Sequence, residues 1–594
     1  MSTSSNDTTI QLDAPGATRR AFVAGAAAVG ALGVMGEMAT AARATEASPA
    51  KDGASQPAAS SHDFTLKGSA SVVTSGGVAL VPPASWATEI VLGDPITLTD
   101  FIAVVRHKAR VSFSEAYEAR VNASRALVEQ WVEEGRVMYG VTTGFGENVK
   151  DTISPEDAEK LQENIILTHS VSVGQPLDEE AVRAMLLMIL QNVGQGYSGV
   201  RLEVLQIIRD MLNKGLVPYV PGEGSAGYLS YEAHAMLVVL GMGKAYYSGE
   251  LMDGAKAMEA AGIEPMPLSS KEGLALVSGT TSATGFAALG LYDLMQAAKA
   301  ADVIGALSVE TLKGVMNAFD SRLMSVRPHV DQARVASNVR AVLADSGIIA
   351  KYGGSHVQDA LSLRCIPQNH GAARKVLEDA CKTVEIEMNS CCDNPIIWGG
   401  DGEQGAISGC NADSSYVGAA MDGAGIAACM IAKMSERRNN RIVDENLGGY
   451  PWFLIGQNPG LNSGLMIPQY TQAGLINEMR VLAHPGTIDQ TPTCGNQEDY
   501  VAMGIFSCDK SRLLAHKLEY ILAIELFGDY EAQQFQDSEV EVAPASRAVY
   551  ERLGKDIPVM KDDMLLSPHI EFLRDLIHSG ELLNVVQNIT GTLY

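Results

Sequence analysis

Three long stretches of the chain, 281–315, 414–440 and 500–530, consist mostly of apolar or small residues and are rich in alanine, glycine and methionine. A helix that is apolar nearly all round must be buried on most of its sides, inside a large bundle or at a subunit interface. Hydrophobic residues make up 46% of the 594 residues, which is ample for such a core. The sequence therefore predicts a mainly α-helical protein built on long buried helices.

Helical periodicity also dominates elsewhere after about residue 89. Leu186, Leu187 and Leu190 recur on one face after the acidic start at 178–180, as in a helix with one buried side. No run of alternating strands supports a Rossmann fold or a barrel, and no repeat period is visible. A glycine-rich segment, Gly399 to Gly402, is typical of a hairpin turn.

The charge of the chain bears on its partners. The formal net charge is −26 and the pI is near 4.8. Nucleic acids bind to basic surfaces because their backbones carry phosphates, so this composition argues against a nucleic-acid partner. Acidity alone identifies no substrate.

All eight cysteines follow residue 364, and none forms a CxxC pair or a Cys/His zinc spacing. We therefore expect no metal site, and we interpret the cysteines as core residues and not as a disulfide framework. They are Cys365, Cys381, Cys391, Cys392, Cys410, Cys429, Cys494 and Cys508.

The first 44 residues are typical of a twin-arginine signal peptide. Arg19 and Arg20 precede a weakly hydrophobic run, 23–35, and Ala42-Arg43-Ala44 offers a small-x-small cleavage site. That run is shorter than the ~20 residues that a membrane span needs. Residues 45–88, rich in Ala, Ser, Gly and Pro, are typical of a flexible linker. We expect export to the periplasm, the cell surface or the medium.

Four segments carry chemistry-bearing side chains at turns, where backbone can approach a ligand. Each segment alone has a structural explanation, such as a turn aromatic for Tyr139 or helix capping for Glu498. Arg364 stands in apolar surroundings, which is unusual unless it meets an anion. The segments are Met138–Gly146, Pro221–Ser230, Gln358–Cys365 and Gly495–Asp499.

Together and in order, these segments resemble the aromatic amino acid ammonia-lyases and aminomutases, histidine ammonia-lyase above all. The resemblance covers about 89–594, identified as one domain with an N-terminal active-site part, about 89–290, and a helical remainder, about 291–594. Further matching segments are Leu161-Gln162 with His169, Gly196–Arg201, Lys271–Leu276, Asn389-Ser390 with Asp393–Pro395, Ser435–Arg438, Gly460–Gly464, Leu482–Pro485 and Asn496–Asp499.

The resemblance implies the fold and the roles of several residues. It implies the long helical bundle of the ammonia-lyases (fumarase/aspartase-like), assembled as a homotetramer with each active site lined by three subunits. Tyr139 takes the place of the family's catalytic base, and Arg364 that of its carboxylate ligand. Glu498, also assigned a catalytic role, positions the ring or the cation of the substrate. His169 and Gln358 are retained as pocket residues.

The resemblance breaks at the residues that make the family's electrophile. Relatives form a methylidene-imidazolone from an internal Ala-Ser-Gly, losing the serine hydroxyl. The aligned triplet is Ser225-Ala226-Gly227, and Ala226 has no hydroxyl to lose. Shifting the register to Gly224-Ser225-Ala226 would replace the cyclising glycine with alanine. We therefore expect no methylidene-imidazolone and no other cofactor.

Other substrate-binding positions of the pocket depart from the family as well. Tyr228 replaces an aspartate, Ser278 an asparagine and Leu361 a tyrosine, while Asn411 is retained. Asp413 follows Ala412, which replaces the family's pocket phenylalanine.

A substrate that already carries a good leaving group needs no electrophile. A trimethylammonium group leaves as a neutral amine, and ergothionase, a lyase of this type, eliminates trimethylamine from ergothioneine to give thiolurocanate. The sequence-based hypothesis is therefore a lyase for an amino acid betaine. Tyr228 and Tyr231 would face the trimethylammonium group, with Asp413 or Glu498 as anions.

Two alternatives stay open. One is a histidine or aromatic amino acid ammonia-lyase with an unorthodox cofactor triplet, which releases ammonia to give urocanate or a cinnamate-type product. The other is an inactive, exported binding protein on a lyase scaffold. Retention of both Tyr139 and Glu498 argues against it, because a binding protein needs no positioned base.

Overall fold

The computed structural model describes residues 85–154 and 157–594. The predicted signal peptide and nearly all of the predicted linker lie outside the described residues. The α-helices of the described residues are α1 (Leu98–Val105), α2 (Glu115–Glu133), α3 (Ala158–His169), α4 (Glu179–Val193), α5 (Leu202–Lys214), α6 (Ser230–Val239), α7 (Gly254–Ala261), α8 (Glu272–Val277), α9 (Thr281–Thr311), α10 (Ser321–Ser325), α11 (Val330–Val342), α12 (Gly347–Tyr352), α13 (Leu361–Arg364), α14 (Ile366–Met388), α15 (Ser415–Val443), α16 (Glu445–Gly448), α17 (Met466–Leu482), α18 (Gly504–Ala532), α19 (Pro544–Leu553), α20 (Ser567–His578) and α21 (Glu581–Thr590).

Helices α9, α15 and α18 pack against one another and form the centre of the bundle. All 31 residues of α9 are buried, so this helix has no solvent-facing side. Small residues allow the close approach: a Cβ added at Gly290 of α9 would lie 2.0 Å from Ser511 Oγ of α18. The three apolar stretches noted in the sequence correspond to these helices, and the prediction of a mainly α-helical fold is confirmed.

The strands of the described residues form small sheets at the margin of the bundle. A parallel pair and three antiparallel arrangements are present, and none of the described strands exceeds four residues. The hairpin predicted at Gly399–Gly402 is confirmed, since it joins β8 and β9. The strands are β1 (Glu89–Leu92), β2 (Arg110–Phe113), β3 (Val173–Pro176), β4 (Val217–Pro218), β5 (Pro221–Glu223), β6 (Lys244–Tyr247), β7 (Glu250–Asp253), β8 (Ile396–Trp398) and β9 (Gly405–Ile407).

Several charged groups inside the bundle form buried ion pairs. Arg438 of α15 binds Glu525 of α18, with both side chains fully buried. Among the described residues, one group of three carboxylate and imidazole side chains is close enough to hold a metal: Asp293, Glu519 and His578. Arg106 already donates to Asp293 at 2.8 Å, and His578 Nδ1 lies 2.8 Å from Glu519 Oε1. The group therefore serves as an ion-pair network between α9, α18 and α20.

Two helical segments of the described residues, Glu272–Thr311 and Ser415–Val443, are long and apolar enough to cross a membrane by length and composition. The first is wholly buried in the bundle and the second is 56% buried. Burial of this extent is what the core helices of a bundle show.

The eight cysteines are all free. The interpretation as core residues is correct for Cys381, Cys392 and Cys508, which are buried. It is wrong for Cys410 and Cys494, which are exposed.

Candidate active site

The loop that carries Tyr139 is fixed by its glycines and by a buried glutamine. Gly140 has a φ of +63°, and a Cβ there would lie 2.4 Å from a methyl group of Leu274. The Gln162 amide of α3 donates to Gly140 O at 3.1 Å and accepts from Leu274 N at 3.1 Å. The loop is thereby tied to α3 and α8, which sets the direction of the tyrosine.

The Tyr139 hydroxyl accepts a hydrogen bond from the backbone of its own loop. Gly146 N donates to Tyr139 Oη at 3.1 Å, a bond that favours the phenolate. Burial raises the pKa of Tyr139 above its usual value, and the charge of Glu498 raises it further, while the bond from Gly146 opposes both. Glu498 of the same chain therefore lies close enough to Tyr139 for its charge to act on the hydroxyl.

Glu498 closes a tight turn that begins at Thr493. The Thr493 hydroxyl donates to Glu498 Oε2 at 3.1 Å, and Thr493 N donates to Glu498 O at 2.8 Å. Between them, Cys494, Gly495 and Asn496 all have left-handed φ values, of 48°, 65° and 69°. Consecutive left-handed residues are costly except at glycine, and such strain is concentrated at functional sites.

Tyr228 approaches the same carboxylate. Its hydroxyl donates to Glu498 Oε2 over 3.4 Å, a long contact. Burial raises the pKa of Tyr228, and the charges of Glu498 and Cys410 act in the same direction. Tyr228 is therefore a neutral donor at neutral pH, half-buried beside Glu498.

A cavity of about 700 Å³ lies beside these residues, and Gly146, His169 and Cys494 are among those that line it. His169 is the last residue of α3, and its Nδ1 lies 3.1 Å from Thr168 Oγ1. Burial lowers the pKa of His169, which keeps the imidazole neutral at neutral pH. Cys494 was missed as a site residue, because no metal or nucleophile pattern singles it out in the sequence.

The triplet turn matches the family in its last residue. Gly227 has a φ of +121°, and a Cβ there would lie 3.2 Å from Ser414 Oγ, so glycine is required. Ser225 Oγ accepts a hydrogen bond from Gly227 N at 3.1 Å. The middle residue, Ala226, has no hydroxyl. The residues present therefore do not fit a methylidene-imidazolone built in the family's order.

The other predicted pocket residues have structural contacts as well. Ser278 is buried and accepts from Asn394 N at 3.2 Å, while Asp413 accepts from the N–H of Ser415, the first residue of α15, at 2.8 Å. Asn411 is exposed and donates to Cys391 O at 3.4 Å. Tyr231 was expected to face the substrate, and this is wrong: it is buried and its hydroxyl donates to Gly222 O.

Arg364 and Gln358 line a second cavity, of about 470 Å³. Leu361 precedes Arg364 on α13 but is 60% exposed and does not line it. The lining residues of this cavity are distinct from those of the cavity of about 700 Å³ beside the Tyr139 loop. A single chain thus places the predicted carboxylate ligand in a different cavity from the one beside the Tyr139 loop.

Two ion pairs, one fully buried and one partly exposed on its arginine side, explain matching segments to which the sequence gave no role. Lys271 Nζ binds Asp393 Oδ2 at 2.6 Å, with both side chains fully buried. Arg201 binds Glu272 through two bonds of 2.8 and 2.7 Å. These pairs connect the segment that opens α8 to the segments at 196–201 and 393–395. They thereby fix α8, against which the Tyr139 loop packs.

Comparison with known proteins gives consistent matches. The family model for aromatic amino acid lyases matches residues 96–555. The histidine ammonia-lyase of Symbiobacterium thermophilum is 40% identical over 505 residues, which cover 84% of this chain and 99% of the relative. The crystal structure of histidine ammonia-lyase from Trypanosoma cruzi is 32% identical, with a TM-score of 0.78, and the match covers 84% of this chain and 95% of that one.

The ergothionase of Treponema denticola is a more distant structural neighbour. It is 26% identical with a TM-score of 0.77, and the match covers 84% of this chain and 100% of that one. Relatives at about 40% identity over most of the chain are named histidine ammonia-lyases. The hypothesis of trimethylamine elimination from ergothioneine is therefore wrong.

The same relatives contradict the expectation that the protein has no cofactor, since histidine ammonia-lyases use a methylidene-imidazolone. The expectation rested on a single position, Ala226, whereas the similarity to these relatives extends over 84% of the chain.

Proposed function

The chain belongs to the aromatic amino acid lyase family, and on that premise we propose that it is a histidine ammonia-lyase, which releases ammonia from histidine to give urocanate. The observation that carries the proposal is the arrangement of Tyr139. Its hydroxyl accepts from Gly146 N beside Glu498, next to a cavity that the neutral imidazole of His169 lines.

The residues divide the reaction between them. The carboxylate of histidine binds the Arg364 guanidinium, which offers charge-assisted hydrogen bonds to both oxygens. Tyr139, as phenolate, takes a proton from the β-carbon, the electron pair of that C–H bond forms the Cα–Cβ double bond, and the α-ammonium group leaves as ammonia. Glu498, held by Thr493 and Tyr228, orients the imidazole ring of the substrate by accepting a hydrogen bond from a ring N–H.

The position of Arg364 in a different cavity from the one beside the Tyr139 loop supports a site shared between subunits. We propose a homotetramer in which the cavity lined by Arg364 in one copy adjoins the cavity beside the Tyr139 loop of another copy. Exposed apolar side chains on long helices support this assembly, including Ile426 of α15 at 49% exposure and Tyr470 of α17 at 71%. Burial of these side chains in a subunit interface would contribute favourable hydrophobic free energy, which a monomer lacks.

The direct test is an assay of the purified enzyme with L-histidine, L-phenylalanine and L-tyrosine. We expect ammonia and the ultraviolet absorbance of urocanate from histidine, and less than a hundredth of that rate from the other two. The Tyr139→Phe protein is the control for contaminating activity. Trimethylamine from ergothioneine, with no ammonia from histidine, would contradict the proposal.

The intact mass of the protein tests the electrophile separately from activity. Within positions 224–227 only Ser225 carries a hydroxyl that can leave. A mass lower than the sequence mass by two waters, restored in Ser225→Ala, would assign the group to this serine. A wild-type mass equal to that of the unmodified chain would exclude a ring at this turn.

We also propose that the protein is exported by the twin-arginine route. Arg19 and Arg20 and the apolar run that follows them support this. Replacement of both arginines by lysine is expected to retain the protein in the cytoplasm, as measured by cell fractionation.

A further inference from the structure

Two carboxyl groups of α18 meet one hydroxyl group of α9 inside the bundle. Ser308 Oγ lies 2.7 Å from Glu525 Oε1 and 2.8 Å from Asp529 Oδ2. All three residues are fully buried. Glu525 and Asp529 stand four positions apart and so lie on the same face of α18, where two like charges repel each other. Burial away from water strengthens that repulsion.

One hydroxyl group cannot satisfy two ionised carboxylates. A serine hydroxyl carries a single proton, and an ionised carboxylate has none to donate. If both carboxyl groups were ionised, one of the two contacts of Ser308 would bring two acceptor oxygens together with no proton between them. Both contacts have the length of an O–H···O hydrogen bond. The geometry therefore calls for a second proton.

Arg438 of α15 decides which carboxyl group carries that proton. Its guanidinium donates to both oxygens of Glu525, from Nε to Oε1 and from Nη2 to Oε2. This fully buried, bidentate ion pair keeps Glu525 ionised. Among the described residues Asp529 has no comparable partner, since its Oδ2 contacts Ser308 and its Oδ1 makes no hydrogen bond. The second proton therefore belongs to Asp529.

The charges around Asp529 favour its neutral form. Burial and the charge of Glu525 raise the pKa of Asp529 far above its usual value, and the charge of Arg438 opposes them only in part. Tyr450 and Tyr550 are the other titratable side chains nearby. Burial and the charge of Asp529 raise the pKa values of both, so both are neutral. With Asp529 protonated, the charges of Arg438 and Glu525 balance each other.

We propose that Asp529 is a buried proton-binding site, which donates its proton to Ser308 Oγ at neutral pH while Ser308 donates its own to Glu525. An unbroken chain of hydrogen bonds then runs from Asp529 through Ser308 and Glu525 to Arg438, and it joins α9, α15 and α18. Hydroxide removes the proton at high pH, which forms water and leaves two carboxylates on one face of α18. The contact between these helices is thus expected to weaken at alkaline pH, whichever substrate the enzyme takes.

The proton makes the stability of the fold depend on pH in one direction. An aspartate in an unfolded chain has a pKa of about 3.9, and the folded protein retains the proton of Asp529 above that pH. The folded state therefore binds one proton more than the unfolded state, and stability falls as the pH rises until the folded carboxyl group itself ionises. Asp529→Asn removes this dependence, because it keeps a neutral group of the same shape whose N–H can donate to Ser308.

Infrared spectroscopy of the full-length protein detects the proton directly, because a protonated carboxyl group and a carboxylate absorb at different frequencies. We expect the wild type at neutral pH to show a protonated-carboxyl band that is absent in Asp529→Asn. Ser308→Ala should retain the band but shift it, since the carboxyl group loses its acceptor. Asp302→Asn is the matched control and should leave the band unchanged, because Asp302 is equally buried on α9 but is paired with Arg374 at 2.8 Å.

Urea denaturation across the neutral and alkaline range measures the consequence for stability. The unfolding constant of the wild type, relative to that of Asp529→Asn, should rise by up to about tenfold per pH unit. Glu525→Gln should lower the denaturation midpoint at every pH, because it leaves Arg438 buried without its ion-pair partner. A protonated-carboxyl band that persists in Asp529→Asn would overturn the inference. The same pH dependence in Asp529→Asn and the wild type, or an Asp529→Asn protein far less stable than the wild type at alkaline pH, would overturn it as well.

Discussion

The Tyr228 hydroxyl reaches Glu498 Oε2 across 270 residues of sequence, at 3.4 Å. The same oxygen accepts from Thr493 at 3.1 Å, so Glu498 is fixed from two sides before any substrate enters. Its charge acts on Tyr139, His169 and Tyr228. Glu498 is therefore the electrostatic centre of the part of the site that one chain supplies.

Replacement of Tyr139 by phenylalanine removes only the hydroxyl that takes the proton. We expect kcat to fall by a factor on the order of 10²–10⁴, the usual contribution of a general base, with KM nearly unchanged. Steady-state kinetics with histidine measure this. Turnover within threefold of the wild type would show that another residue is the base.

The rate should rise with pH through the neutral range. Burial and Glu498 raise the pKa of Tyr139, so the phenolate fraction is small at neutral pH and grows as the pH increases. Glu498→Gln removes the nearby negative charge and should move the rising limb of kcat to lower pH. Asp489→Asn, an exposed acid of the preceding loop, is the control and should leave the profile in place.

Arg364→Lys tests the carboxylate contact in turnover. Lysine keeps the charge but cannot reproduce two parallel hydrogen bonds, so we expect KM to rise by roughly tenfold to a hundredfold. Arg437→Lys, at an exposed arginine of α15 paired with Glu436, should leave KM unchanged. An unchanged KM in Arg364→Lys would move the carboxylate to another group.

A shared site predicts complementation between two inactive variants. Tyr139→Phe and Arg364→Ala proteins, each nearly inactive alone, should give active mixed tetramers when they are co-expressed. In such tetramers some sites combine the intact Tyr139 of an Arg364→Ala chain with the intact Arg364 of a Tyr139→Phe chain. Activity no higher than the sum of the separate variants would show that both residues act within one chain.

Asp393→Asn should destabilise the protein strongly, because Lys271 then carries a buried charge without a partner. Breaking a buried pair in this way costs about 3–5 kcal/mol of the free energy of unfolding. Asp379→Asn is the matched control, because its partners Lys375 and Lys382 are exposed and solvent-exposed ion pairs contribute little to stability. Chemical denaturation of the two variants compares them directly.

The central bundle was predictable because its signal is local. The stretch at 281–315 consists mostly of apolar or small residues on all sides, and such a helix is stable only when it is buried, as α9 is. The sequence singles out Tyr139 and Glu498 as candidate site residues only through their matching segments. Composition alone gives no information about contacts between residues that are more than 300 positions apart.

Side-chain direction and the location of cavities were not predictable in the same way. Tyr228 and Tyr231 are three residues apart, yet Tyr228 faces Glu498 and Tyr231 is buried against Gly222 O. The turn that precedes α6, with Leu229 at a φ of +75°, changes direction between them, and residue types do not reveal that change.

The complete burial of α9 has a genetic consequence. A missense change from an apolar residue to a charged one in this helix places a charge without a partner in the core, and its cost rivals the whole stability of a protein. Such alleles lower the amount of protein in the cell, whereas changes at Tyr139 or Arg364 preserve the amount and lower turnover per molecule. Abundance and activity, measured side by side across a variant library, therefore sort loss-of-function alleles into two classes.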